Sequence, residues 1–302
     1  MTPEQQAAVE LVRREFGESV LTRFPEAWGP RVVLEVTVGD RTIFVKVAGD
    51  TDVFAEASAL RLARTAGVPV PGVLSSGTDP KVPGGRWIAL GQAPGIQWPI
   101  DDPRTTGRTV RDIAVCLARL HRLLLPGFGP LSMDGVGTCG SWRDWLGDSV
   151  DADLHALVRL AHALRKFRAK AMSVVGQAAP SIERGSMLQG DLGDPHVFVN
   201  PEDGALTCII DWGGAIIGDP IYELARFVAG GPADDPRPRA LLPDLIEHYL
   251  ADTGIDRSRV DRSLPLYQAL QAIFNAAWSH REGVSWIPGL LGRADALLDR
   301  LR

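Results

Sequence analysis

The chain has 302 residues, 45% hydrophobic and 23% charged, a size and balance that let a soluble globular protein bury two separate cores without staples. A net charge of -5 and a pI near 5.7 argue against a general nucleic-acid binder, whose phosphate contacts need a basic surface. No run approaches the roughly 18 apolar residues of a membrane span, and Glu4, Glu10, Glu15 and Glu18 stand where a signal peptide would be basic and then apolar, so no membrane partner is expected and the compartment is read as cytoplasmic.

Thr2, Pro3 and Gln5 spell a helix start, with Thr2 as cap, Pro3 at the first helical position and Gln5 closing a capping box, after which Val9, Val12 and Phe16 can face a core. Strand-like runs at 32–38 and 42–47 flank Gly39-Asp40-Arg41, a hairpin signal built on a glycine. In the second run Ile43, Val45 and Val47 share one face, and Phe44 and Lys46 the other. Asp52 can cap the next helix, where Val53, Glu56, Ala57 and Leu60 recur at i, i+3, i+4 and i+7. Glu56 thus points where apolar residues point. An unpaired buried charge there would cost several kcal/mol, and Lys46 is the obvious partner.

After Val-Pro-Val-Pro-Gly at 68–72 comes a strand at 87–90, then Gly91-Gln92-Ala93-Pro94-Gly95, with turn chemistry and little periodicity. A lobe boundary is placed there, with a hinge at about 90–95 between an N-terminal lobe of residues 1–93 and a C-terminal lobe of residues 94–302. Residues 110–124 and 153–175 are helical by pattern, the second with Leu154, Leu157, Val158, Ala161 and Leu164 on one face and a solvated cationic end at Arg165, Lys166, Arg168 and Lys170. The stretch 230–239, with three prolines, reads as a loop, and helices fill about 242–302. Cys116, Cys139 and Cys208 form no CxxC pair and read as reduced thiols.

The chemistry is concentrated in residues 188–225. Apolar runs at 197–200 and 206–210 flank the turn formers Asn200-Pro201-Glu202-Asp203-Gly204, a hairpin that sets His196 at its entry beside Asp211 at its exit, with Asp191 in the loop before. A strand lysine, a helix glutamate, an aspartate followed five residues later by a metal-ligand type, and a second aspartate after an apolar strand appear in that order. This is the part list of a kinase-type phosphoryl transferase: the lysine holds the α and β phosphates, the glutamate positions it, one aspartate orients the attacking hydroxyl and the other binds Mg²⁺. No GxxxxGK[ST] is present, which excludes a P-loop kinase.

Gly190-Asp191-Leu192, His196, Ile210-Asp211-Trp212, Gly218-Asp219-Pro220 and Glu223-Leu224-Ala225 together resemble the aminoglycoside phosphotransferase family, small-molecule kinases of two-lobed, protein-kinase-like fold. Lys46, Glu56, the segment 68–71 and Arg119-Leu120-His121 also match, so the resemblance covers roughly residues 44–227. It implies an α+β fold with a small antiparallel-sheet N-lobe and a larger, mostly helical C-lobe. It also implies that Asp191 is the catalytic base or hydroxyl-orienting carboxylate, that His196 and Asp211 ligate Mg²⁺, and that Lys46 and Glu56 form the phosphate clamp. Backbone groups of Gly91, Gln92 and Ala93 would hold the base of ATP or GTP, and Asp219 would brace the catalytic loop.

Gln189 stands where the family usually has His, and an amide can still donate and accept hydrogen bonds. His196 replaces the commoner Asn and resembles the macrolide and 2''-aminoglycoside branches. The glycine-rich phosphate loop is weak, since 24–31 holds one Gly and two prolines.

Seven residues separate Asp211 from Asp219, and Pro220 opens a helix, which leaves no room for a peptide-docking activation segment. The expected partner is therefore a small hydroxylated substrate, by resemblance an aminoglycoside or macrolide antibiotic. Its pocket walls are expected near Asp144 and Trp145 and near Trp278, His280, Glu282 and Trp286. A metabolic or biosynthetic small-molecule kinase and a catalytically silent nucleotide-binding module stay open as alternatives. The sequence does not fix the oligomeric state, and a monomer is compatible with it.

Overall fold

Alternating apolar residues build the first sheet. In the structure, a computed structural model that describes residues 1–17, 21–25, 31–48, 52–158, 164–229 and 235–301, helix α1 (Pro3–Phe16) packs on that sheet. Its strands are β1 (Leu21–Arg23), β2 (Arg31–Val38), β3 (Arg41–Ala48), β4 (Val73–Thr78) and β5 (Arg86–Gly91), antiparallel in the order β1-β2-β3-β5-β4. Val32, Leu34 and Val36 on β2 and Ile43, Val45 and Val47 on β3 are buried together with Ala8, Val9, Leu11 and Val12 of α1. The capping box at Thr2 is complete: Thr2 Oγ1 accepts from Gln5 N–H at 3.2 Å and Gln5 Oε1 from Thr2 N–H at 2.9 Å. The other face of β3 turns Lys46 toward α2 (Val53–Thr65), capped by Asp52.

Beyond Gly91 the chain is mainly helical: α3 (Pro103–Leu120), α4 (Trp142–Val158), α5 (Leu164–Ala178), α6 (Pro220–Phe227), α7 (Arg237–Thr253), α8 (Arg257–Arg281) and α9 (Ile287–Asp299). The strands β6 (Ile96–Gln97), β7 (Leu124–Leu125), β8 (Phe128–Leu131), β9 (Gly137–Cys139), β10 (Gly185–Leu188), β11 (Val197–Val199), β12 (Leu206–Ile209) and β13 (Ile216–Gly218) form two small antiparallel sheets, β7-β10-β13-β8-β9 and β12-β11-β6. The result is the expected α+β architecture, a small antiparallel-sheet lobe joined to a larger helical one. Among the described residues no helix is long and apolar enough to cross a membrane.

Several boundaries move. The helix expected at 110–124 starts at Pro103, behind an Asp102 cap, and stops at Leu120 because Leu124 and Leu125 pair with β10. The helix expected at 153–175 is already under way at Trp142; α5 resumes at Leu164, and Ala161 lies outside the described residues. Pro238, within the stretch where a loop is expected, sits in the first turn of α7, where its missing N–H has no helical partner to lose. The rest of that loop, 230–234, and positions 26–30 of the phosphate loop lie outside the described residues.

Several contacts tie the two parts together, among them one from α2 to the turn after β8. The turn between β8 and β9 reaches back to α2, where Ser58 Oγ donates to Met133 O at 2.6 Å, two residues from Glu56. A contact between part-buried Asp153 and exposed Arg281 is less comfortable. Asp153 of α4 lies 3.6 Å from Arg281 of α8, and burial, only partly opposed by that arginine, pushes its carboxyl up to about 6. Because the folded value lies above the ordinary one of about 4, the protonated acid favours folding, and this contribution is lost as pH rises from about 4 through about 6. Asp153→Asn should therefore raise stability at pH 8 by on the order of 1–2 kcal/mol and flatten the pH dependence between 4 and 6, measured by urea denaturation.

Candidate active site

The loop after β10 is fixed by three neighbours. Gly190 has φ +83°, and a Cβ there would lie 1.9 Å from Gly214 O, so only glycine lets the two loops approach. Glu223, fully buried on α6, accepts from Gln189 N–H at 2.5 Å and from Gly190 N–H at 3.1 Å. Gln189, also buried, accepts from Asp191 N–H at 2.7 Å and donates through Nε2 to Ile210 O at 3.0 Å and Asp211 O at 2.8 Å. The last contact matters because Asp211 is the one described non-glycine residue with positive φ, at φ 57°, ψ 63°. That left-handed backbone is unfavourable for an L-residue, and Gln189 holds the carbonyl it presents.

The amide at 189 thus secures both acidic loops at once. Gln189→Leu would leave an N–H and two carbonyls without these partners, and the expected cost is about 2–4 kcal/mol in chemical denaturation. Gln189→His should recover much of it, since an imidazole can serve both loops in part.

Lys46 Nζ lies 2.7 Å from Glu56 Oε1 and 2.9 Å from Asp211 Oδ1. Burial alone would lower the lysine's pKa; the two carboxylates outweigh it and hold the value above the ordinary one. Burial likewise pushes Asp211 up, but Lys46 and then His196 reverse the effect and bring it down to about 2. His196 places Nδ1 2.7 Å from Asp191 O. A carbonyl can only accept, so Nδ1 carries the proton, and in the neutral ring Nε2 keeps its lone pair, 3.7 Å from Asp211 Oδ2.

Ligand atoms of Asp191, His196 and Asp211 all lie within 4.8 Å of one another. A divalent cation such as Mg²⁺ would take a carboxylate oxygen of Asp211 and the free imidazole nitrogen of His196, with Asp191 beside it. The hairpin delivers this grouping as its spacing suggested: Val197 pairs with Ile209, and Ile210 N–H donates to His196 O at 2.9 Å.

The remaining sequence-derived positions fare unevenly. Gly91, Gln92 and Ala93 end β5 and open the crossing between the lobes; Gly91 N–H donates to Gly72 O at 2.8 Å, so a base edge would draw its donors from Gln92 and Ala93. Asp219 does not brace the catalytic loop. It caps α6 through Ile221 N–H at 3.1 Å and accepts from Tyr267 Oη at 3.0 Å and Arg259 Nη2 at 3.1 Å, tying α6 to α8. The bracing falls to Glu223, one turn later. Trp145 stacks on Trp142 with centroids 4.8 Å apart, Trp278 stacks on Trp286 at 5.9 Å, and Asp144 is exposed.

Two residues with no assigned role enter the site from α6. Besides Glu223, Arg226 pairs its Nη2 with Asp191 Oδ1. Asp219, Glu223 and Arg226 recur at i, i+4 and i+7, one helix face, which was the available signal.

The sequence profile of the APH group, the phosphotransferase enzyme family, matches residues 20–261. The chain belongs to this family. As a member it is a phosphotransferase. Hygromycin-B 4-O-kinase of Escherichia coli is 27% identical over 105 residues, a match spanning 33% of this chain and 30% of that relative's length. Among solved structures, the apo form of a thermostable mutant of aminoglycoside phosphotransferase APH(4)-Ia gives a TM-score of 0.76 at 20% identity, covering 96% of this chain and 98% of that one. A macrolide 2'-phosphotransferase type I gives 0.62 at 16% identity, covering 98% of each chain. At these identities the structural likeness speaks for the fold.

Proposed function

We propose that the protein transfers the γ-phosphate of ATP or GTP, held with Mg²⁺, to a hydroxyl of a small molecule. The observation that carries this reading is the meeting of the Lys46–Glu56 pair with Asp211, and of Asp211 with His196 and Asp191, in one polar cluster. Lys46, fixed by Glu56, would take the α and β phosphates; Asp211 and His196 would hold the cation, whose charge offsets that of the phosphates. Asp191 would receive the acceptor's hydroxyl hydrogen and aim its oxygen at the γ-phosphorus, so that catalysis comes from position and charge. The nucleotide would sit against the lobe of residues 1–93, with Gly91, Gln92 and Ala93 as the hinge that meets its base, and the acceptor against residues 94–302.

An aminoglycoside or macrolide antibiotic is the acceptor this reading favours, supported by likeness to an APH(4)-Ia variant crystallised with ADP and hygromycin B. The test is phosphate transfer from ATP and from GTP, with and without Mg²⁺, to a panel of aminoglycosides, macrolides, sugars and amino alcohols. Metal-dependent transfer to an antibiotic is expected. Transfer confined to sugars or amino alcohols would make the duty metabolic. Nucleotide-induced thermal stabilisation with no acceptor modified would sink the catalytic reading.

A further inference from the structure

We propose that Arg226 is a positioning residue that fixes the carboxylate of Asp191 for catalysis, an inference that rests on the function proposed above. Its side chain is 11% exposed, pairs through Nη2 with Asp191 Oδ1, and donates from Nη1 to Asn275 Oδ1 at 3.0 Å and Gln271 Oε1 at 3.3 Å on α8. The guanidinium carbon lies 5.3 Å from the centroid of the Phe274 ring. Asn275 is itself anchored, donating through Nδ2 to Ala229 O. The cation is therefore held from several sides before any acceptor arrives. Burial alone would lower its pKa, but Asp191 outweighs burial and raises it, so the guanidinium stays charged.

Asp191 Oδ1 is thus occupied by the arginine, and Oδ2, 3.8 Å from His196 Nδ1, is the oxygen left for a hydroxyl. A carboxylate with one oxygen tethered cannot rotate freely about its last bond. That defines where the acceptor must come from. Glu223, on the same face of α6, meanwhile holds the backbone N–H groups of Gln189 and Gly190. One short helix sets both the main chain and the side chain of the catalytic loop. The planar fork suits this task, because one guanidinium bonds Asp191 and α8 at once, which a lysine ammonium does with poorer geometry.

A merely structural ion pair would cost stability and leave the turnover of the folded enzyme intact. A positioning role predicts that Arg226→Met lowers kcat by about 100-fold while KM for Mg-ATP stays within about threefold, and that Arg226→Lys recovers about a tenth of wild-type kcat. In an Asp191→Ala background, Arg226→Met should lower the residual rate no further, since it acts through the residue already removed. Hydrolysis of Mg-ATP, with water as acceptor, serves for these comparisons alongside any acceptor from the panel.

If wild type turns over, Asp191→Ala does not, and Arg226→Met keeps kcat, the inference falls while the proposed function stands. Crystal structures of Arg226→Met and, should it fail to fold, of Asn275→Ala give a readout independent of activity. Asp191 should occupy more than one rotamer with the Glu223 bonds intact, and a single unchanged rotamer overturns the proposal.

Discussion

Asp191→Ala is expected to lower phosphate transfer by about 10³-fold or more, with Mg-nucleotide affinity changed far less. Two separable losses contribute. The acceptor hydroxyl loses the group that aims it, and Arg226 is left as a buried cation without its carboxylate. Breaking one side of a fully buried pair costs about 3–5 kcal/mol; with the Asp191 side chain 34% exposed the cost here is smaller, but part of the activity loss in Asp191→Ala is still expected to come from destabilisation. Asp191→Asn separates the two, because it keeps the volume and an oxygen for Arg226 while removing the charge. Both variants should be assayed for transfer at saturating nucleotide and for their denaturation midpoints. Turnover above a tenth of wild type in a folded variant would remove Asp191 from the chemistry.

Lys46→Met should have the second largest effect, and on more than one property. Without the ammonium, Glu56 and Asp211 lose the cation shared between them at 2.7 and 2.9 Å. The expected cost is about 3 kcal/mol at neutral pH, with a roughly tenfold rise in KM for nucleotide and a roughly hundredfold fall in kcat. The pH dependence gives an independent check. In wild type the depressed value of Asp211, about 2, contributes stability that is present above the ordinary value and lost as pH falls from about 4 toward about 2. In Lys46→Met most of that contribution is gone at every pH. The gap between the two proteins should therefore narrow on acidification through this window. A constant gap would mean that Lys46 is not what holds Asp211 ionised.

The parts legible in the sequence are those set by local rules. The alternation of Ile43, Val45 and Val47 placed Lys46 on the opposite face of its strand, and the stripe through Val53 and Leu60 placed Glu56 against it. The turn cluster after Asn200 was enough to bring His196 beside Asp211. Arg226 and Glu223 were not legible as site residues, because their roles depend on how α6 docks under the loop after β10. Periodicity fixes a helix face but not what that face meets. Asp219 shows the same gap: Pro220 marked the start of a helix, but the partners that give Asp219 its role, besides the cap itself, come from α8, forty residues and more downstream. The edge strands β1 and β4 were also missed. An edge strand is paired on one side only and need not be rich in apolar residues, and β4 is part-exposed all along.

The bond from Ser58 to Met133 bears on how freely α2 can move. In a protein kinase the helix bearing the clamp glutamate is free to be displaced, and control works through its position. Here that helix is moored twice, by Lys46 from within and by the β8–β9 turn from the far lobe, and β8 is itself hydrogen-bonded to β13, which runs directly into Asp219. Swinging α2 outward would strain the sheet beneath the catalytic loop as well as open the clamp. Displacing α2 would break the Lys46–Glu56 clamp and the Ser58 tether together, so both lobes share in holding the glutamate in place.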